Sequence, residues 1–293
     1  MTSILTARHV CKRFPSFDLH DVCLDLPQGS IMGLVGPNGA GKTTLIKALM
    51  NAVVLQSGDV EIFGQPLMAN EAAIKDRIGY VGTDPLFCRE WTCRHVGAVM
   101  RSLYRSWDQS AFDGYVTTWR LDTRKRVKEL SQGQQRQLSV AVALSHKTDL
   151  LILDEPTSGL DPSMRAAFVD EFQRYVEGGH KSVLFSTHII SDLERCADLV
   201  TFIYDGRIVF SQQWDGVAED YMIVRGRRDE LSQALMSVSC GWRMHDFGFE
   251  ALLPVGELAM LPPSCEATPA DMESILVLFR GVPAAKSREE ARK

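Results

Sequence analysis

No apolar run in this chain approaches the ~18 residues needed to cross a bilayer as a helix, and its start, Met1-Thr2-Ser3, lacks the basic residues and apolar stretch of a secretory leader. The expectation is a chain that neither spans a membrane nor is secreted. Basic excess is missing too: 32 Lys and Arg against 37 Asp and Glu give a formal net charge of -5, so nothing would hold the chain to a nucleic-acid backbone. No nucleic-acid partner is expected. The seven cysteines are odd in number and form no CxxC pair, which argues against a zinc site or a disulfide framework. Free thiols in a reducing cytosol fit better, and Cys88 and Cys93, the closest pair, read as incidental. Internal repeats are absent.

What is present is ordinary in amount and specific in order. The 293 residues, 45% hydrophobic and 24% charged, can bury the core of one large or two modest domains. Short alternating runs broken by Pro15, Pro27 and Gly29 predict strands up to about residue 35. Helical spacing follows over 42–55, a strand and turn at 60–64, and a charged helical block at about 84–145. Residues 150–153 and 182–185 are short, nearly continuous apolar runs of the kind buried on both faces of a parallel sheet, each followed by polar residues and then a helical pattern. That alternation predicts an α/β core. Asp205-Gly206 predicts a hairpin turn, after which the composition shifts, and we place a boundary near residue 212. Beyond it a strand at 221–224, an apolar stretch at 252–261 and a helix announced by Thr268-Pro269 predict a small α+β domain over 212–285. Met272, Ile275, Leu276 and Phe279 would share one face of that helix, and the charged tail 286–293 is expected to be disordered.

The segment Gly36-Pro37-Asn38-Gly39-Ala40-Gly41-Lys42-Thr43-Thr44 matches G-x-x-x-x-G-K-[ST] and lies between an apolar strand and a helix, where its mechanism needs it. Its glycines let successive backbone N–H groups turn inward onto phosphate oxygens at the positive end of the helix dipole. Lys42 is expected on the β- and γ-phosphates, and the Thr43 hydroxyl on Mg²⁺.

A second run, Leu150-Leu151-Ile152-Leu153-Asp154-Glu155, ends in adjacent acids and would deliver both to the carboxyl edge of the sheet, where open α/β folds bind ligands. Asp154 is expected to hold Mg²⁺ directly or through water, and Glu155 to polarise the water that attacks the γ-phosphate. His188, just past the run 182–185, would reach the same edge as a hydrogen-bonding sensor that orients this water. Ser131, Gly133 and Gln134 open a helix and form a second anion site. One nucleotide does not need two such sites, so this one is expected to face the γ-phosphate of an ATP held by another copy.

On these residues the chain resembles the ATP-binding subunits of ABC transporters over residues 1 to about 211. Gly36 to Thr44 match the Walker A loop, Leu150 to Glu155 the Walker B strand, and Leu130-Ser131-Gln132-Gly133-Gln134 the family signature with glutamine for its first glycine. Thr157-Ser158-Gly159-Leu160-Asp161 matches the D-loop and His188 the switch histidine. The resemblance implies a P-loop NTPase core with an N-terminal antiparallel β subdomain and an inserted helical subdomain. It further implies a dimer closed on two ATP with Mg²⁺, a separate integral-membrane permease, and a place on the inner face of the cell membrane. Phe14 matches the family's adenine-stacking aromatic. Where the family usually has glutamine this chain has Thr83, which leaves three alternatives: Asp84 substitutes, a water bridges to the metal, or coupling to the membrane partner is altered. Residues 103–112 and 186–194 resemble a bacterial subgroup that pairs with ABC-2 type permeases in efflux, peptide-antibiotic resistance or envelope stress. The C-terminal domain resembles the variable extensions of such subunits. The alternative functions are a soluble ABC ATPase with a non-transport role and a regulatory module that binds ATP without turnover.

Overall fold

The computed structural model describes residues 2–83 and 87–280. Asp84 and the tail 286–293, singled out above, lie outside them. The chain divides into two compact units, Met1–Ser211 and Gln212–Lys293.

In the first unit, β1 (Ser3–Arg13), β2 (Asp18–Pro27), β4 (Ser57–Ile62) and β5 (Gln65–Pro66) form an antiparallel sheet in the order β2-β1-β4-β5. The central sheet has the order β10-β9-β3-β8-β7-β6, built from β3 (Ile31–Val35), β6 (Ile78–Val81), β7 (Leu150–Asp154), β8 (Ser182–Ser186), β9 (Leu199–Tyr204) and β10 (Arg207–Gln213). Strands β9, β3, β8, β7 and β6 run parallel. Every residue of β3, β7 and β8 is buried, which is why these strands read as nearly continuous apolar runs and not as alternations. The turn between β9 and β10 carries positive φ at both Asp205 (45°) and Gly206 (71°), the backbone a two-residue hairpin demands.

Helix α1 (Lys42–Leu49) follows β3, and the short α2 (Glu71–Lys75) precedes β6. The inserted block is α3 (Cys93–Leu103), α4 (Gln109–Thr118) and α5 (Gln132–Leu144), started by the caps Thr92, Asp108 and Ser131. α6 (Pro162–Val176) and α7 (Ile190–Cys196) complete the unit, and the Tyr115 hydroxyl of α4 donates to Glu171 of α6 at 2.8 Å. Leu5, Leu24, Leu34, Ile46 and Ile152 belong to one buried cluster that runs from the β sheet to the central sheet. Burying several aliphatic side chains at about 1.5–3 kcal/mol each is the main force holding these layers.

The second unit contains an antiparallel sheet in the order β12-β13-β11-β14: β11 (Tyr221–Gly226), β12 (Gly241–Met244), β13 (Phe249–Pro254) and β14 (Glu266–Pro269). Its helices are α8 (Val217–Asp220), α9 (Gln233–Val238) and α10 (Met272–Leu278). Val224, Leu235, Phe249 and Leu253 form its core.

One expectation is corrected here. Thr268-Pro269 does not open a helix: Thr268 pairs with Ile223 and Pro269 with Met222 at the end of β14. An edge strand tolerates a proline that cannot donate to a ladder. Asp271 caps α10 instead, accepting from the Ser274 N–H at 2.7 Å. Met272, Ile275 and Phe279 are buried as expected, whereas Leu276 is only partly covered and Leu278 takes the inner position.

Candidate functional site

The loop between β3 and α1 is held by close backbone approach. A Cβ on Gly36 would overlap the carbonyl oxygen of Ile203, and one on Gly41, where φ is 110°, would come within 2.5 Å of the Phe17 ring. Gly41→Ala is therefore expected to cost about 1–3 kcal/mol, visible as a fall of several degrees in melting temperature. A Gly39→Ala control has open space around its Cβ and should cost less, although its φ of 82° is also positive.

Lys42, the first residue of α1, is buried, and its ammonium donates to the carbonyls of Gly36 (2.8 Å) and Pro37 (3.3 Å). It lies 3.8 Å from Glu155. Burial lowers its pKa from the ordinary 10.5, against the opposing pull of Glu155 and Asp154. An anionic triphosphate beside it would raise that pKa again. Between the free and the bound value, nucleotide binding must then capture a proton, and affinity must fall as pH rises through that alkaline range. Calorimetry in buffers of different ionisation enthalpy should show this uptake, and Lys42→Ala should abolish it.

Above the loop opens a cleft of about 770 Å³. Asn38, Gly39, Gly41, Lys42, Thr43 and Thr44 line one wall, Phe14, Pro15, Ser16 and Phe17 another, and Thr83, Glu155 and His188 close it. Gly36 and Ala40 frame the loop without lining the cleft; the Ala40 N–H donates to the Pro37 carbonyl at 3.1 Å.

The acids at the end of β7 differ in environment. Asp154 is 1% exposed and accepts from the Ser186 hydroxyl (2.6 Å) and the Thr83 hydroxyl (2.5 Å). Glu155 has left the strand with φ at 52°, an unusual conformation for this residue type, stabilised by its N–H donating to the Ser186 hydroxyl at 2.9 Å. That turn points its carboxylate into the cleft, where one oxygen lies 2.7 Å from His188 Nδ1. His188 is half-exposed.

Not all expected site residues meet in this cleft. Ser131 caps α5, accepting from the Gln134 N–H, while the Gln134 side chain accepts from the Ser131 N–H (3.2 and 3.1 Å). Gly133 lies beside Leu160 and Gly159. Asp161 caps α6 and accepts from the N–H groups of Ser163 and Met164, which, with the Ser163 hydroxyl as the largest influence, hold its carboxyl below the usual range. None of these four lines the cleft that holds Lys42.

Three contributions were not foreseen. Ser186 ties both acids together because Asp154 and Ser186 are register partners across β7 and β8, a pairing no local spacing reveals. Pro15, Ser16 and Phe17 sit beside Phe14 in the cleft, and adjacency in sequence was the available signal. Arg136 of α5 donates to the carbonyls of Gly82 (2.5 Å) and Thr83 (3.0 Å), linking the signature helix to the strand end that carries Thr83.

Over 260 residues, 84% of this chain and 82% of the relative's, the sequence is 30% identical to the bacitracin transport ATP-binding protein BcrA of Bacillus licheniformis. The ABC transporter family model matches residues 19–158. The chain belongs to the ABC transporter ATP-binding proteins. It is an ATP-binding, ATP-hydrolysing cassette. The lantibiotic transport ATP-binding protein SrtF of Streptococcus pyogenes is also 30% identical, over 68% of this chain and 85% of its own. Among solved structures, an ATP-binding subunit of an ABC transporter superposes with a TM-score of 0.68 at 22% identity, covering 74% of this chain and 92% of that one. The dimeric post-hydrolysis cassette MJ0796, bound to ADP and Pi, gives 0.64 at 20% identity over 71% and 98%. Both show that the P-loop cassette fold is shared.

Proposed function

We propose that two copies of this cassette close head to tail on two ATP molecules and drive a separate integral-membrane permease from the inner face of the cell membrane, in export. The observation that carries the reading is the division of the motif residues between two surfaces. Lys42, Thr43, Glu155 and His188 share one cleft, while Ser131, Gly133 and Gln134 open a helix elsewhere on the chain. A second copy supplies what the first cleft lacks. Within the cleft Lys42 neutralises the β- and γ-phosphates, Phe14 offers a face for the adenine, and Glu155, restrained by His188, orients and polarises water toward the γ-phosphate.

The residues present fit a magnesium ion: the Thr43 hydroxyl lines the cleft, and the Asp154 carboxylate, buried at the end of β7 next to the cleft-lining Glu155 and bonded to the cleft-lining Thr83, is a second hard oxygen donor. Such an ion would neutralise charge on the phosphates as the bond to the γ-phosphorus breaks. Thr83 would bear on such an ion only through Asp154, whose oxygen its hydroxyl holds. A threonine that positions a metal ligand fits turnover better than a module that only binds ATP.

Export by way of an ABC-2 type permease is supported by relatives whose names describe bacitracin and lantibiotic transport. No helix among the described residues is long and apolar enough to cross a membrane, which is in keeping with a channel formed by a separate chain. We assign the permease contact to the helical block around residues 84–115. Purification from gently solubilised membranes should recover a multi-spanning protein encoded beside this one. Recovery of ribosomal or nucleic-acid partners alone would contradict the reading.

A further inference from the structure

On the far sheet of the first unit, β1 and β2 are not a regular ladder. Ala7 faces Leu24, Val10 faces Val22 and Lys12 faces Leu19, so β1 carries one extra residue before Val10 and β2 one extra residue beyond Val22. The two bulges cancel, and register resumes. Each holds a non-glycine residue in the left-handed region, His9 at φ 51° and Asp21 at φ 48°. Bulges re-aim side chains. Here they bring His9 Nδ1 to 2.7 Å from Asp21 Oδ1 and 4.0 Å from Cys23 Sγ, and all three donor atoms lie within 4.8 Å of one another.

The backbone fixes this arrangement from both sides. The His9 N–H donates to Cys23 Sγ at 3.4 Å, and the Asp21 N–H donates to Cys11 Sγ at 3.3 Å. On the other flank, β4 presses against the bulge at Gly58, where a Cβ would overlap the carbonyl oxygens of His9 and Arg8. Two left-handed non-glycine residues facing each other across a ladder, with a thiol between them, are more than a surface ion pair requires.

We propose that His9, Asp21 and Cys23 bind a zinc ion. One nitrogen, one oxygen and one sulfur donor suit a borderline-soft, tetrahedral cation and disfavour magnesium or calcium, which take oxygen ligands. Zinc bonds of about 2.0–2.3 Å place tetrahedral donors roughly 3.3–3.8 Å apart, between the 2.7 and 4.0 Å found here, so side-chain rotations suffice. His9 and Asp21 are 73% and 66% exposed, which leaves an entry path and room for water as the fourth ligand. Binding releases the Cys23 proton to solvent and clamps the two bulged strands together. The three ligands span two strands at irregular register, which explains why no CxxC-type spacing announces the site.

The test uses the purified full chain, stripped with a chelator and titrated with Zn²⁺ without nucleotide. The wild type and a Cys88→Ser control, which alters an exposed thiol elsewhere, should each bind one equivalent. His9→Ala and Cys23→Ser should lose at least about tenfold in affinity while still binding ATP, which reports an intact fold. With Co²⁺ in place of Zn²⁺, a thiolate-to-cobalt charge-transfer band should appear and vanish in Cys23→Ser. No zinc uptake by the wild type, unchanged affinity in both ligand variants, or a band that survives Cys23→Ser would overturn the assignment.

Discussion

Glu155→Gln should cut steady-state phosphate release by about 10²–10⁴-fold, the range that a positioned general base contributes. The substitution is isosteric, so the left-handed turn at this residue and the N–H bond to Ser186 stay in place. What is lost is the negative oxygen that lies 2.7 Å from His188 and faces the cleft. ATP affinity should hold or rise, because a negative charge beside the γ-phosphate is removed. A phosphate-release assay on wild type and variant checks this directly. Equal rates would support instead a module in which binding matters and turnover does not.

Lys42→Ala is the other large effect expected. One hydrogen bond to a charged group contributes about 1.5–3 kcal/mol, so nucleotide affinity should fall roughly 10- to 150-fold. The apo protein should suffer little by comparison. Burial already disfavours the Lys42 charge, as its lowered pKa records, and alanine removes that desolvation cost along with the bonds to Gly36 and Pro37. Calorimetry with Mg-ATP measures the affinity, and a thermal melt without nucleotide measures the stability. A variant that binds ATP as well as wild type would exclude Lys42 from the phosphate site.

Much of this was legible because it is local. A glycine-rich loop between an apolar strand and a helix is written in consecutive residues, and the paired acids follow an apolar run that only a strand buried on both faces would have. The parallel sheet was readable for the same reason. What stayed hidden depends on partners distant in sequence. The Ser186 bridge exists because β7 and β8 are neighbours in one register. Thr83 stands where the family usually has glutamine, and its hydroxyl bond to Asp154 needed β6 and β7 placed side by side. Thr268-Pro269 misled for a related reason: the dipeptide suits a helix start, yet pairing with β11 claims it for an edge strand. Local preference lost to a sheet contact. The pair of bulges at His9 and Asp21 is the extreme case, since register shifts leave no trace in residue spacing.

The deciding question is whether a second copy completes the nucleotide site. Light scattering on Glu155→Gln, at saturating Mg-ATP and without nucleotide, answers it. A particle of twice the 32.7 kDa chain mass that forms with ATP and reverts when ATP is withdrawn is the predicted result. A species that stays at single-chain mass under saturating ATP would contradict the account.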